Sequence, residues 1–201
     1  MDSAKGAARG DLVGVLYLPP KRIEEEAEIT RIQAIEAGVE DGFPFDVEST
    51  VEFLFDYQLV FGAALPEGVL GMTARRRVEI SAAVESNDGR LRFTVAHEIG
   101  HIVLHIPYLE HQKMQTPLFH VERSLIIDER MEFQANKFAA ALLMPTKVVS
   151  ELYGARIRAG DYVRVSEAAA HFGVSQQAAE IRFKDLGILA TVSPGTPLGI
   201  D

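Results

Sequence analysis

An apolar stretch that carries three histidines and a glutamate constrains this chain more than any other feature. The stretch reads RFTVAHEIGHIVLH at 92–105, and its apolar spacing predicts a helix from near Asp88 to about His105, with Pro107 marking its end. Imidazole and carboxylate groups are costly to bury in an apolar helix unless hydrogen bonds or a bound ion satisfy them. We therefore expect the fold to bring a polar partner or a metal ion to this helix.

The pattern HExxH within that helix, formed by His97, Glu98 and His101, is typical of a zinc site. Histidines four residues apart lie on one helix face, so both rings can reach the same cation. Glu98 points to one side of that face, where it can take a proton from a water molecule without being a ligand. The chain has no cysteine, so a tightly held metal must use histidine and carboxylate. We expect Zn²⁺, with another divalent ion such as Mn²⁺ as the alternative.

A catalytic zinc ion normally has three protein ligands and one position for water, so a third ligand is needed. His105 lies about 12 Å along the helix axis from His97, too far for both to bind one ion, and we expect it to cap or pack the helix end. The extended pattern with histidine six residues after His101 is excluded, because Pro107 stands there. The third ligand must come from elsewhere in the chain.

A second helical segment, DERMEFQANKFAAALLMP at 128–145, offers that ligand. Glu132 and Asn136 lie one turn apart, and alanines at 135, 139 and 140 allow close packing on the first helix. We predict Glu132 as the third ligand and Asn136 as the acceptor of a hydrogen bond from a ligand imidazole. The competing donors nearby are Glu129, which is the main rival, and Asp128, Glu122 and His120.

The remaining patterns predict an α+β fold with a small, mostly antiparallel sheet. Short runs separated by turn residues indicate a meander of three strands, and a loop is expected over 106–124. The predicted helices are 21–37, a segment after Pro44 with Asp46 near its start, 88–105 and 125–144, and the predicted strands are 57–61, 69–73 and 77–82. The strand at 69–73 could lie beside a cleft and bind a peptide by strand addition.

Charge and hydropathy narrow the possible partners. The net charge of −9 repels nucleic acid over the whole molecule, so DNA could be held only by a local basic patch. No run of about 18 apolar residues predicts a membrane span, and the start of the chain lacks the pattern of a secretory leader. We expect a cytoplasmic protein that does not enter a membrane.

Residues 165–187 predict a helix, a turn and a second helix. Ser166 and Ser175 are expected to cap the two helices, and Gly173 to form the turn. The second helix has balanced charge, with Arg182 and Lys184 beside two acidic residues, which gives little attraction for phosphate. We therefore favour a role in packing or repressor docking over direct DNA contact.

Several blocks of the chain together resemble the ImmA/IrrE family of metallopeptidases. The blocks are RFTVAHEIGHIVLH at 92–105, EFQANKFAAALLMP at 132–145 and VSQQAAEIRFKDLGIL at 174–189. The resemblance implies a zincin-like minigluzincin fold, zinc held by His97, His101 and Glu132, and Glu98 as the general base. It also implies a protein substrate, a helix-turn-helix transcriptional repressor whose cleavage releases genes for stress response or mobile elements.

The resemblance divides the chain into three parts, which are an N-terminal extension of a loose segment plus a helix (1–44), a metallopeptidase domain (45–150) and a helix-turn-helix-like module with a tail (151–201). Two other functions remain open: a DNA-binding regulator with a structural or vestigial zinc site, and a general peptidase. The group that stabilises an oxyanion is also open, among Tyr108, His120, Tyr153, Tyr162 and His171.

Overall fold

The computed structural model describes residues 17–115, 129–158 and 163–188, and it has the predicted α+β class. Long helices pack together on one side of a three-stranded sheet. Their shared core contains the inward faces of both, including Ile80, Ile99 and Phe138, each with 0% of its surface exposed. Within the described residues, no helix has both the length and the apolar character needed to cross a membrane.

The first helix, α1 (Pro20–Glu36), ends before Gly38, as predicted, and begins at a proline, one residue before the predicted start. Gly38 has a positive φ of 102°, a conformation that glycine adopts at low cost where a helix ends. Ile23, Ala27 and Ala34 form the buried face of α1. That face packs along the helix α5 (Glu129–Leu143), so the N-terminal helix contributes to the main core.

A short helix follows, α2 (Val47–Ser49), and continues as a π turn over Thr50–Leu54. The Asp46 side chain accepts a hydrogen bond from the Ser49 backbone N–H at 2.9 Å. This is the N-terminal cap that the sequence predicts, because an aspartate oxygen can satisfy a free backbone N–H in the first turn.

The sheet corrects the predicted meander. Its strands are β1 (Gln58–Ala63), β2 (Gly71–Ala74) and β3 (Arg77–Ser81), in the order β1-β3-β2. β2 and β3 form an antiparallel hairpin, but β1 pairs with β3 in parallel, so the sheet is mixed and not mostly antiparallel. The pattern of apolar residues locates strands but does not tell which strands become neighbours. Here the connection from β1 to β2 is long enough to carry the chain past β3.

The helix with the HExxH pattern is longer than predicted. It comprises α3 (Asp88–Gly100), a π turn over His101–His105 and α4 (Ile106–Gln115), without the expected stop at Pro107. Proline is tolerated in the first turn of a helix, and Pro107 is the second residue after the π turn. In a regular α-helix a proline ring clashes with the carbonyl four residues earlier, and here the π turn interrupts that regular spacing. The predicted loop over 106–124 is therefore helical as far as Gln115, and its remainder lies outside the described residues.

The helix α5 ends before Pro145, as predicted, and its start at Glu129 follows residues outside the described part of the chain. The close approach of α3 and α5 depends on Gly100, where an added Cβ would lie 3.1 Å from the Cα of Ala135. After Pro145 the chain forms a helix that the sequence analysis did not predict. It comprises α6 (Thr146–Val149), a π turn over Ser150–Gly154 and α7 (Ala155–Arg158).

Two short helices, α8 (Val165–Phe172) and α9 (Gln176–Asp185), occupy the predicted positions near the C-terminal end. Gly173 between them has a φ of 63°, and the Ser175 side chain caps α9, as expected. Arg164, not Ser166, is the N-cap of α8, because this helix begins at Val165, two residues earlier than a Ser166 cap requires. The division of the chain at residues 44 and 150 stays a prediction.

The helix pair is packed firmly against the rest of the protein. An added Cβ on Gly89, near the start of α3, would lie 2.9 Å from the backbone nitrogen of Ser175. On the other side Arg182 of α9 is only 1% exposed and donates to Glu24 of α1 at 2.9 Å and to the Met144 carbonyl at 3.0 Å. A buried arginine with a charged partner fixes the position of α9.

Candidate metal centre

Two histidines of α3 and the π turn converge with one glutamate of α5. The Nε2 atom of His97 lies 3.2 Å from Oε2 of Glu132, and Nε2 of His101 lies 3.3 Å from Oε1 of the same carboxylate. The two Nε2 atoms are 3.0 Å apart. Each side chain offers a ligand atom, and these three atoms lie within 4.8 Å of one another. The structure thus brings together the three residues that the sequence analysis selected as ligands.

The donor set fits a divalent cation. Two imidazole nitrogens and one carboxylate oxygen are ligands that zinc accepts in sites that keep a position free for water. The carboxylate of Glu132 is 45% exposed, so the site opens to solvent, whereas His101 is 8% exposed at its side chain. Among the described residues, these three side chains form the one cluster of three or more metal-binding groups that could hold an ion.

Asn136 lies where the sequence analysis expects it. Its Oδ1 atom is 3.0 Å from Nδ1 of His97. An amide oxygen accepts a hydrogen bond, so this contact favours the neutral His97 tautomer that carries its proton on Nδ1. The lone pair on Nε2 is then directed toward Glu132 and the position that an ion would take.

Glu98 lies beside the ligands but is held by the sheet. Its Oε2 atom accepts a hydrogen bond from the Thr73 hydroxyl of β2 at 2.7 Å. Its other oxygen, Oε1, lies so near β2 that an added Cβ on Gly71 would be 2.7 Å away. Glu98 is 5% exposed and is not one of the three converging residues. The strand itself was expected beside a cleft, but its sequence gives no sign that Thr73 or Gly71 contacts Glu98, because Thr73 lies 25 residues away from Glu98 in the chain.

His105 corrects an expectation. It does not cap a helix end, since α4 continues beyond it, and it is 3% exposed. Its Nδ1 atom lies 2.9 Å from Nδ1 of His101, and its Nε2 atom lies 3.1 Å from Oε1 of Gln134 on α5. The distance that excludes His105 as a ligand still allows contact with the nearer histidine one turn away. That spacing of four residues was the signal that could have located it.

The charges at the site influence one another. A hydrogen bond from the protonated His97 ring lowers the pKa of Glu132, against a smaller effect of burial. Burial acts to lower the pKa of His97, but the hydrogen bond with Glu132 and the charges of Glu98 and Glu132 together raise it. The pKa of His101 falls to about 4, through burial first and then the neighbouring His97 and His105. His101 is therefore neutral at neutral pH, as a metal ligand must be.

Burial raises the pKa of Glu98, although the hydrogen bond from Thr73 and the charge of His97 act in the opposite direction. A carboxylate with a raised pKa is a better acceptor for a proton near neutral pH than an exposed one. Glu98 thus has the electrostatic character that a general base requires, in addition to its place beside the three converging residues.

The other candidate ligands and oxyanion-stabilising groups that the structure describes lie outside the group of three converging residues. Glu129 is the first residue of α5, is exposed and does not belong to the converging group. Tyr153 is 3% exposed and packs on Phe183, and the ring of His171 stacks on Phe43, so both belong to an aromatic cluster around α8 and α9. Tyr108 lines a groove with Leu18 of the chain before α1. The remaining candidates lie outside the described residues: Asp128, Glu122, His120 and Tyr162.

Comparisons with known proteins give a family match and a solved structure of similar fold. The family model described as the IrrE N-terminal-like domain, of the Peptidase M78 family, matches residues 43–184. A Mycobacterium tuberculosis transcriptional regulator of solved structure is similar with a TM-score of 0.54 and 15% identity, over 80% of this chain and 46% of that one. At that identity the likeness concerns the fold alone, and this chain spans less than half of that protein's length. A search of curated proteins finds no match.

The family match extends from before α2 into the last turn of α9, and its range includes every residue of the candidate centre. It covers more than half of the chain. The chain therefore belongs to the ImmA/IrrE family of metallopeptidases.

Proposed function

We propose that this protein is a zinc-dependent metalloendopeptidase that cleaves a partner transcriptional repressor in a stress-response or mobile-element circuit. The observation that carries the proposal is the convergence of His97, His101 and Glu132, whose ligand atoms lie within 4.8 Å of one another. Glu98 stands beside them as a group that can move a proton. Membership of the family supports metallopeptidase activity, and the repressor substrate is a further proposal that the experiment below tests.

In this proposal each residue has a definite task. His97 and His101 use their Nε2 atoms as ligands, and Glu132 uses its carboxylate. Zinc, when bound, supplies a Lewis acid that acidifies a water molecule and polarises a peptide carbonyl. Glu98 accepts the proton from that water at its carboxylate and can return it to the amine that leaves. Thr73 keeps Glu98 oriented through its 2.7 Å hydrogen bond.

The unpaired edge of β2 supports a peptide substrate. The Ser81 N–H donates to the Leu70 carbonyl, and hydrogen-bonded pairs alternate along an antiparallel ladder. Met72 and Glu79 are then hydrogen-bonded to each other. The backbone groups of Gly71 and Thr73 therefore face away from β3, along the edge that is free in the described sheet. An extended peptide paired there would pass beside Glu98.

A second candidate function is DNA binding, favoured by the likeness in fold to a solved protein that is a transcriptional regulator. The charges of α9 argue against it for this chain. Arg182 is buried on Glu24, Lys184 is paired with Glu180 at 2.6 Å, and Asp185 is paired with a lysine of α5. Phosphate contacts need cations that are accessible. We therefore assign α8 and α9 to packing or to docking of the repressor.

The test uses the wild-type protein, Glu98→Gln and the matched control Glu129→Gln. Each is incubated with zinc and the repressor encoded beside the gene, and cleavage is followed by mass spectrometry. We expect cleavage at one bond by the wild type and the control, and a rate about 10²–10⁴-fold lower for Glu98→Gln, with its zinc content unchanged.

Equal cleavage by wild type and Glu98→Gln would show the proposed mechanism to be wrong. Degradation of casein at a similar rate would indicate a general peptidase without a specific partner. A mobility shift of operator DNA by both proteins, without any cleavage, would favour the regulator instead.

A further inference from the structure

We infer that His105 and Gln134 form a positioning pair that orients the ligand His101 and fixes its tautomer. The inference rests on the proposed metal centre and adds two residues that do not bind the ion. The contacts form a continuous chain of hydrogen-bonding atoms, from Gln134 Oε1 through both ring nitrogens of His105 to Nδ1 of His101.

The chemistry of the end group determines the direction of the whole chain. An amide oxygen only accepts, so Nε2 of His105 must carry the proton that it donates to Gln134 over 3.1 Å. Because a neutral imidazole has one proton, Nδ1 of His105 is then an acceptor. Nδ1 of His101, 2.9 Å away, must donate to it. The remaining nitrogen of His101, Nε2, keeps its lone pair free for a cation.

The surroundings leave little access for water as an alternative partner of these groups. His101 and His105 are 6% and 3% exposed, and Gln134 is 3% exposed. A buried polar side chain without a partner is costly. If His105 served only to fill space, an apolar side chain would do so without that cost. The π turn over His101–His105 widens the helix at the place where the two rings meet, 5.0 Å apart at their centres.

The two ligand histidines thus have separate supports from the same helix. Asn136 of α5 contacts Nδ1 of His97 directly, at 3.0 Å. Gln134 of α5 lies on a different side of that helix and reaches the second ligand through His105. Since both supports belong to α5, which also carries Glu132, the packing of α5 on α3 orients all three proposed ligands together.

The experiment measures zinc affinity by competition with a chelator, and proton positions by nitrogen-15 spectra of the histidine rings in the zinc-loaded protein. His105→Phe keeps a planar aromatic ring and removes the acceptor, whereas His105→Asn can still accept from His101. Gln134→Leu removes the terminal acceptor. Leu104→Ala, at a neighbouring buried residue of the same π turn, is the control for loss of packing.

We expect zinc to bind about 10–100-fold more weakly to His105→Phe than to the wild type, with a smaller loss for His105→Asn. Leu104→Ala should lower the melting temperature but leave the zinc affinity of the folded protein unchanged. The ring spectra should show the His105 proton on Nε2, and Gln134→Leu should weaken this preference.

Wild-type affinity in a folded His105→Phe, or a His105 proton on Nδ1 in the zinc-loaded wild type, would overturn the inference and leave the metal centre intact. Equal weakening in Leu104→Ala would also overturn it, because packing alone would then explain the loss. A wild type that does not bind zinc would overturn the proposed function and this inference together.

Discussion

Replacing Gly71 with alanine should displace the proposed base, Glu98, without touching a ligand. The added Cβ would lie 2.7 Å from Oε1 of Glu98 and 2.9 Å from Cγ2 of Thr94, whereas ordinary contact begins at 3.4 Å. Both neighbours belong to α3, so β2 and α3 must separate by about 0.7 Å or Glu98 must change its position. Such overpacking costs about 1–3 kcal/mol of the free energy of unfolding.

The rate of cleavage should fall even though the Gly71→Ala protein stays folded. A misplacement of about 1 Å in a reacting group can reduce a rate roughly 10²-fold, and we expect a decrease of that order in kcat for Gly71→Ala. Zinc content should stay the same, because the three converging residues are not touched. Cleavage kinetics, metal analysis and urea unfolding measure the three quantities separately.

Two further variants separate the effects. Thr94→Ser removes the methyl group that the new Cβ meets but keeps the hydroxyl that donates to the Arg90 carbonyl at 2.9 Å. The double variant Gly71→Ala with Thr94→Ser should recover part of the lost stability and little of the lost rate, since the contact with Glu98 remains. Gly42→Ala is the control, because an added Cβ there meets nothing within 4 Å.

The reasoning would be refuted if Gly71→Ala had both the stability and the activity of the wild type. It would also be refuted by a full recovery of activity in the double variant, because the clash with Thr94 would then account for everything. The free energy of unfolding shows whether the added Cβ clashes with α3, even if the substrate is not the proposed repressor.

Three other outcomes are expected. Gly100→Ala should lower the free energy of unfolding by about 1–3 kcal/mol in urea, since its Cβ would lie 3.1 Å from the Cα of Ala135 between two packed helices. Burial acts to raise the pKa of Glu24, but the hydrogen bond and charge of Arg182 outweigh it and hold the pKa below 4.5. The stability that this pair contributes is therefore present above pH 4.5 and is lost as the pH falls through the lowered pKa of Glu24. In urea unfolding from about pH 7 to about pH 3, Glu24→Gln should lack this part of the acid dependence. Chelation of zinc should lower the melting temperature of the wild type and leave that of Glu132→Gln nearly unchanged, because the variant lacks one of the three ligands.

The positions of the two histidines proposed as ligands could be predicted because they depend on local geometry. Four residues on a helix always place two side chains on one face, whatever surrounds that helix. Glu132 was within reach of prediction for a related reason. Its segment also has helical spacing, and its alanines predicted a close helix contact, which the structure has at Gly100 and Ala135. The contact itself depends on how the two helices pack.

Where the prediction failed, the decisive contact joined residues far apart in the chain. The order β1-β3-β2 depends on which strand edges pair with each other, and apolar alternation contains no information about that choice. Thr73 and Gly71 looked like ordinary strand residues until β2 was found against α3. Pro107 predicted a helix end, but a π turn precedes it and the helix continues to Gln115.

The sequence by itself determined the HExxH helix, the chemistry of its ligands and the family, because residue type and short-range spacing are sufficient for these. Only the tertiary structure decided which groups contact the proposed base and the proposed ligands. Thr73 reaches Glu98 from the sheet, and Gln134 reaches His101 through His105. Hydrogen bonds act over about 3 Å, so their partners are defined only after packing has brought distant segments together.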